Sequence, residues 1–138
     1  MDASLSLAVA AGKVTAATIR RLGRGGGTTL PGRVSSRIDS HALHKLSSRL
    51  PRGSILVAGT NGKTTTATLL RTILQQAGVT VVANRAGSNM VGGLTAAVVA
   101  GSAISGQARA EAGVFEVDEA SLPAAVEAIA PRMVVVTN

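Results

Sequence analysis

Short apolar runs alternate with longer amphipathic stretches over the second part of the chain. The apolar runs predict strands over 55–58, 79–83, 113–117 and 133–136. The stretches between them predict helices over about 63–77, 94–102 and 123–130. Strands that are apolar throughout and alternate with helices are typical of a parallel sheet covered on both faces. We therefore predict an α/β fold with a mostly parallel sheet and flanking helices.

The apolar spacing also predicts which faces of the helices are apolar. On the helix over 63–77, four residues are expected to cover the buried side: Leu69, Leu70, Ile73 and Leu74. The first part of the chain predicts another helix over 5–22, with an apolar stripe formed by Leu7, Ala11, Val14, Thr18 and Leu22.

The rest of the first part predicts a joint and a short helix. The glycine-rich segment 24–27 breaks the first helix and favours a flexible joint. A short helix capped by Asp39 or Ser40 is predicted to end before Pro51. We predict two parts, a basic helical arm and linker over 1–52 and an α/β domain over 53–138.

Charge and composition narrow the classes of partner. The formal net charge is +7, and it lies entirely in residues 1–52, which hold nine Lys or Arg and two Asp. A basic segment suggests nucleic acid or an anionic membrane surface. With one Phe and no Tyr or Trp, the chain lacks base-stacking side chains, so we predict no nucleic acid. Two explanations of the basic segment stay open: peripheral contact with a membrane surface, or charged faces that are simply solvated.

Other classes are excluded by what the sequence lacks. There is no Cys, which excludes disulfides and thiolate metal sites in these residues. No apolar run approaches the roughly 18–20 residues that a membrane span needs. Asp2 precedes the short apolar run near the N-terminus, where a signal peptide has positive charge. We therefore predict a cytoplasmic protein.

The strongest motif stands between the strand at 55–58 and the helix that follows it. A strand, a glycine-rich turn, Lys-Thr and a helix together form a phosphate cradle, with backbone N–H groups and the helix dipole directed at one anion. Lys63 is expected to reach the β- and γ-phosphates, and the Thr64 hydroxyl to ligate Mg²⁺. The predicted nucleotide-binding residues of this loop are Gly59, Thr60, Asn61, Gly62, Lys63, Thr64 and Thr65.

Polar residues also follow the next two strands. Ligands of parallel sheets bind at the carboxyl ends of the strands, and the loop after residue 83 brings Asn84, Arg85 and Asn89 there. We expect this loop to face the nucleotide or the second substrate. Ordinary turn chemistry is the alternative, because Asn and Gly are common in turns.

The strand over 113–117 ends with carboxylates. Alternation places Phe115 and Val117 on one face and Glu116 on the other. A carboxylate on a strand beside the loop strand is a usual Mg²⁺ ligand. Asp118 and Glu119 could instead cap the helix that follows or interact with the dipole at its N-terminus.

The short loop, with Thr-Asn between its glycines, resembles the ATP site of the Mur ligase superfamily, which includes folylpolyglutamate synthases. Within it the chain most resembles the MurT-like ligase subunits, on segments 26–33, 84–89, 115–120 and 135–138. The resemblance implies ATP and Mg²⁺ as cofactors, Lys63 and Glu116 as catalytic residues, and Thr64 and Glu116 as metal ligands. It extends the nucleotide site to Asn84 and Asn89.

The resemblance also implies a reaction. Such ligases phosphorylate a carboxylate and let an amine or ammonia displace the phosphate. MurT-like subunits imply amidation of D-glutamate in a lipid-linked peptidoglycan precursor, with ammonia from a GatD-like glutamine amidotransferase. A non-catalytic ATP-binding module and a folylpolyglutamate-type ligase are the alternatives. Because the chain ends directly after an apolar strand, we expect it to be the first part of a longer ligase and inactive by itself.

Overall fold

A four-stranded, fully parallel sheet forms the centre of the computed structural model, with strand order β2-β3-β1-β4. The structure describes residues 2–23, 29–84 and 87–138. The strands are β1 (Ser54–Gly59), β2 (Val81–Ala83), β3 (Ala112–Val117) and β4 (Met133–Thr137). The helices are α1 (Ala3–Arg21), α2 (Leu30–Ile38), α3 (Ala42–Ser47), α4 (Lys63–Gln76), α5 (Val91–Ala100) and α6 (Leu122–Ile129). All four predicted strands and the parallel sheet are confirmed.

Helices cover both faces of this sheet. On one face, Leu56 and Phe115 pack with α1, α3, α5 and α6 in the larger hydrophobic core. On the other face, Val57 and Val114 pack against Ala67 of α4. The alternation predicted for β3 is therefore confirmed, because Phe115 lies in the larger core while Val114 faces α4. Glu116 shares the α4 face with Val114.

The apolar stripe predicted for α1 is the wrong face. Leu7, Val14 and Leu22 are more than half exposed, while Leu5 and Val9 are fully buried in the larger core. Periodicity alone did not separate these two faces, since α1 is rich in Ala and Val on both sides. The exposed stripe lies on a helix that also carries Lys13, Arg20 and Arg21. Contact of this helix with a membrane surface stays a prediction.

The buried side predicted for α4 is half correct. Leu70 and Leu74 pack against the smaller core, but Leu69 and Ile73 are 58% and 63% exposed. In the part of the chain that the structure describes, α4 covers this face of the sheet and contacts β1 and β3 with one strip of its surface. The helix therefore buries fewer positions than a wide apolar stripe suggests.

Helix α2 has no counterpart among the sequence predictions. Pro31 stands in its first turn, a position that Pro favours. The helix is fixed to α1 by Ser35, whose hydroxyl donates to the carbonyl oxygens of Ala8 at 2.9 Å and Pro31 at 3.0 Å. Its glycine, Gly32, lies so close to Gly92 of α5 that a Cβ there would overlap the backbone. The glycine-rich joint predicted at 24–27 lies outside the described residues.

Helices α1 and α3 are joined at the surface by Lys45. Its ammonium pairs with Asp2 at 2.8 Å and with Asp39 at 2.7 Å. Asp2 also caps α1 by accepting from the Leu5 N–H at 3.1 Å. The Lys45 ammonium and then the Leu5 N–H hold the pKa of Asp2 below its ordinary value. These helices share the larger core with the sheet, and the division at residue 52 stays a prediction.

None of the helices in the described residues combines the length and the apolar character that crossing a bilayer requires.

Candidate nucleotide site

The loop between β1 and α4 turns sharply at two glycines. Gly59 ends β1 with φ of 136°, and Gly62 precedes α4 with φ of 78°. Both values lie in the region that strongly favours glycine. A Cβ at Gly59 would overlap the carbonyl oxygen of Thr137 on β4. The two glycines therefore let the loop lie directly over the end of β4.

The loop brings the Lys63 side chain and the N-terminus of α4 to the same place. The Lys63 ammonium donates to the carbonyl oxygens of Gly59 and Thr60, the second at 3.3 Å. In the described structure no side chain caps the N-terminus of α4. The first N–H groups of a helix lack intrahelical acceptors, so this end of α4 offers donors and a positive dipole to an anion.

The predicted metal ligands lie in direct contact. The Thr64 hydroxyl donates to Glu116 Oε2 at 2.7 Å, and Glu116 is only 6% exposed. The contact joins the first turn of α4 to β3, which pairs with β1 from Ser54↔Gly113 to Ala58↔Val117. Two oxygen ligands beside a phosphate cradle are a donor set that suits Mg²⁺.

These observations test whether ATP and Mg²⁺ fit the residues present. Two glycines with positive φ, an uncapped helix N-terminus and a lysine meet at the loop. A hydroxyl and a carboxylate stand together beside them. The residues fit both groups. Thr64 and Glu116 would hold Mg²⁺, and the loop with Lys63 would hold the phosphates.

The next loop is attached to the same strand. The Asn84 side chain is buried and hydrogen-bonded to the backbone of Glu116 and Ser88. Asn89 donates from Nδ2 to Asp118 Oδ1 at 3.3 Å, and the Asp118 N–H donates back to the Asn89 carbonyl oxygen at 3.3 Å. Asn84 thus contacts the backbone of Glu116 and Asn89 contacts Asp118 at the end of β3, and the contact of both asparagines with nucleotide stays a prediction. Arg85 lies outside the described residues.

The carboxylates of Asp118 and Glu119, which follow β3, were predicted as possible helix caps. Neither side chain caps the turn or the helix that follows. Asp118 precedes the short turn Glu119–Ser121, but its side chain caps no N–H group there. Glu119 accepts from the Thr60 hydroxyl at 2.6 Å. These acidic side chains therefore contact the glycine loop and the loop after β2.

Thr137 is a part of the site that the sequence reasoning missed. Its hydroxyl lies 3.2 Å from the Ala58 carbonyl oxygen and 2.5 Å from that of Asn61. It therefore supports the loop from below, at the carboxyl end of β4. The sequence did contain a signal, because the terminal segment 135–138 is among those that carry the family resemblance.

The fold and the site define an α/β domain of the P-loop class. The chain belongs to the Mur ligase family: the family model described as the Mur ligase middle domain matches residues 57–138. That range begins in β1 and includes the loop, Glu116 and Thr137.

The curated relatives give a narrower comparison. The chain is 34% identical over 112 residues to the lipid II isoglutaminyl synthase (glutamine-hydrolyzing) subunit MurT of Staphylococcus aureus (strain N315), covering 81% of this chain and 24% of that protein. It is 35% identical over 138 residues to the subunit of the same name from Streptococcus pneumoniae (strain ATCC BAA-255 / R6), covering 100% and 30%. The chain thus spans less than a third of the length of these relatives.

Proposed function

We propose that this chain is the ATP-binding part of a ligase that forms a carbon–nitrogen bond. The observation that carries the proposal is the contact between Thr64 and Glu116 at the mouth of the glycine loop. ATP, when bound, would supply the phosphoryl group that activates a carboxylate for attack by an amine. The chain's own residues would bind, orient and neutralise charge, which are the main protein contributions to phosphoryl transfer.

Each group has a role in this proposal. The loop N–H groups and the N-terminus of α4 hold the phosphates, and Lys63 neutralises part of their charge. Thr64 and Glu116 would hold the metal ion, which would neutralise charge on the phosphates. Glu119 and Thr137 keep the loop in position through Thr60 and the carbonyl oxygen of Asn61. None of these residues exchanges a proton with substrate in this scheme.

We further propose that the acceptor is D-glutamate in a lipid-linked peptidoglycan precursor, and that a glutamine amidotransferase partner delivers ammonia. The support is the printed name of the relatives, lipid II isoglutaminyl synthase (glutamine-hydrolyzing) subunit MurT. Identity of 34–35% extends over at least 81% of this chain.

Product analysis tests the function. A ligase of the relatives' length that carries these residues, mixed with ATP, Mg²⁺, a D-glutamate-containing muropeptide, glutamine and a glutaminase partner, should convert the carboxylate to an amide with stoichiometric ADP release. These 138 residues alone should give no amide. Free ammonia should replace glutamine and the partner together. Transfer of glutamate to a folate would instead favour the folylpolyglutamate-type alternative. Nucleotide binding without any amide product would favour a non-catalytic module.

The metal role predicts a specific defect for Glu116→Gln. This change keeps the shape and removes the charge, so the enhancement of ATP binding by Mg²⁺ should fall at least about tenfold while metal-free binding survives. Titration of a fluorescent ATP analogue at several Mg²⁺ concentrations measures both quantities. Asp118→Asn makes the same chemical change two residues further on and should leave the enhancement intact. A defect in Asp118→Asn alone would mean that Asp118 is the metal carboxylate.

A further inference from the structure

The pairing between β2 and β3 stops before it reaches the metal carboxylate. Its register runs from Val81↔Ala112 to Ala83↔Val114, whereas β3 continues to Val117. In a parallel ladder, the N–H and C=O of one residue point to the same neighbouring strand. The backbone groups of Glu116 thus face the side from which β2 has departed, and they need another partner there.

The side chain of Asn84 supplies that partner. Asn84 Oδ1 accepts from the Glu116 N–H at 2.9 Å, and Asn84 Nδ2 donates to the Glu116 carbonyl oxygen at 2.9 Å. Nδ2 also donates to the Ser88 carbonyl oxygen at 2.9 Å. A backbone N–H can only donate, so the first bond fixes the orientation of the amide. The side-chain amide of Asn84 therefore takes the place of the backbone partner that β2 would have offered to Glu116 if the ladder had continued.

This use of Asn84 differs from nucleotide binding. An asparagine amide has two N–H donors, and carbonyl oxygens of Glu116 and Ser88 occupy both. Asn84 is 7% exposed. The group consequently has no donor left for a phosphate oxygen in this arrangement, and two of its three described bonds hold the backbone of Glu116.

We propose that Asn84 is a positioning residue for the metal carboxylate. Holding both backbone groups of Glu116 fixes the direction of its Cα–Cβ bond, and thereby the reach of its carboxylate toward Thr64 on the α4 face of the sheet. The inference rests on the proposed Mg²⁺–nucleotide role of Glu116. Outer contacts of this kind typically change metal affinity by about 10–100-fold when they are removed.

The test compares two variants. Each removes a side chain that forms a hydrogen bond at one end of the β2–β3 pair. Asn84→Ala removes the clamp beside Glu116. Thr80→Val is the matched control, since the Thr80 hydroxyl accepts from the Glu111 N–H at 3.1 Å at the opposite end of the same strand pair. For both, a fluorescent ATP analogue is titrated without metal and then with increasing MgCl₂.

We expect Asn84→Ala to raise the Mg²⁺ concentration for half-maximal enhancement about 10–100-fold, while metal-free affinity stays within about twofold. Thr80→Val should change neither quantity more than about twofold. Equal loss of metal-free and metal-dependent binding, or the same defect in Thr80→Val, would show a merely structural role and overturn the proposal. Normal enhancement in Asn84→Ala would overturn it as well.

Two further measurements keep the outcomes distinct. If the unsubstituted protein shows no Mg²⁺ enhancement, or Glu116→Gln retains it, the proposed metal role fails and the positioning inference fails with it. If Asn84→Ala does not fold, hydrogen exchange in the unsubstituted protein decides: the Glu116 amide should exchange at least about tenfold more slowly than the exposed Glu119 amide. Exchange of both amides at similar rates would contradict the clamp.

Discussion

Replacing Lys63 by alanine is expected to weaken nucleotide binding by about 2–5 kcal/mol, the range found when one partner of a buried, hydrogen-bonded charge pair is truncated. This corresponds to a loss of affinity between about 30-fold and several thousand-fold. The Lys63 ammonium lies within the loop, on the carbonyl oxygens of Gly59 and Thr60. Among the described residues, Lys63 is the cationic side chain that lies inside the glycine loop, where the phosphates are expected.

Arg71→Ala is the matched control for this prediction. Arg71 lies two turns further along α4, is also half-buried, and loses the same charge without touching the loop. Both variants should be titrated with a fluorescent ATP analogue after circular dichroism has verified the fold. Equal nucleotide affinities for Lys63→Ala and the unsubstituted protein would refute the assignment of the loop as the phosphate site. Equal losses of affinity in Lys63→Ala and Arg71→Ala would mean that the effect comes from the net charge of the protein and not from the position of Lys63.

The sheet was predictable because its strands are apolar runs, and the central strands β1 and β3 are buried on both faces. A strand such as β1 is therefore continuously apolar and stands out from amphipathic helices. The side of Glu116 was predictable for a related reason, since alternation along β3 leaves no choice once Phe115 is in the core. The loop motif was predictable because its glycines, lysine and threonine are adjacent in sequence.

The helix faces were less predictable because they depend on contacts between distant elements. Leu5 and Val9 of α1 are buried by α3 and α5, and nothing in residues 5–22 alone distinguishes them from Leu7 and Val14. The same holds for Leu69, which would be buried only if another element covered that side of α4. Apolar spacing therefore identified the helices and left the choice of buried face to tertiary packing.

Side-chain contacts within the site were the least predictable part. The sequence placed Asn84 in the correct loop, but an asparagine at a strand end suits a turn, a ligand or a backbone clamp equally well. Its observed contact with Glu116 exists because the pairing of β2 with β3 ends at Val114, two residues before Glu116. Thr137 escaped attention for a similar reason, because its contact with the loop depends on the register of β4 against β1.

That register leads to the second large prediction, for Gly59→Ala. Gly59 pairs with Thr137 across β1 and β4, and an added Cβ would overlap both the carbonyl oxygen and the hydroxyl of Thr137. Its φ of 136° adds strain for any residue with a Cβ. We expect the free energy of unfolding to fall by about 3 kcal/mol or more. Nucleotide affinity should fall as well, because Thr137 must move away from the Asn61 carbonyl oxygen.

Gly78→Ala is the control for Gly59→Ala, because it adds a Cβ at a positive φ without an overlap. Gly78 also has a positive φ, 79°, but an added Cβ there meets no atom within 4 Å. It should therefore cost only the left-handed penalty of about 1–2 kcal/mol and leave nucleotide affinity unchanged. Urea denaturation monitored by circular dichroism measures both stabilities, and the ATP analogue measures both affinities. The two variants share the residue change and the sign of φ, so a similar loss in both would mean that the contact between the loop and β4 contributes nothing. A larger loss in Gly59→Ala would be the combined effect of the overlap with Thr137 and of the φ of 136°.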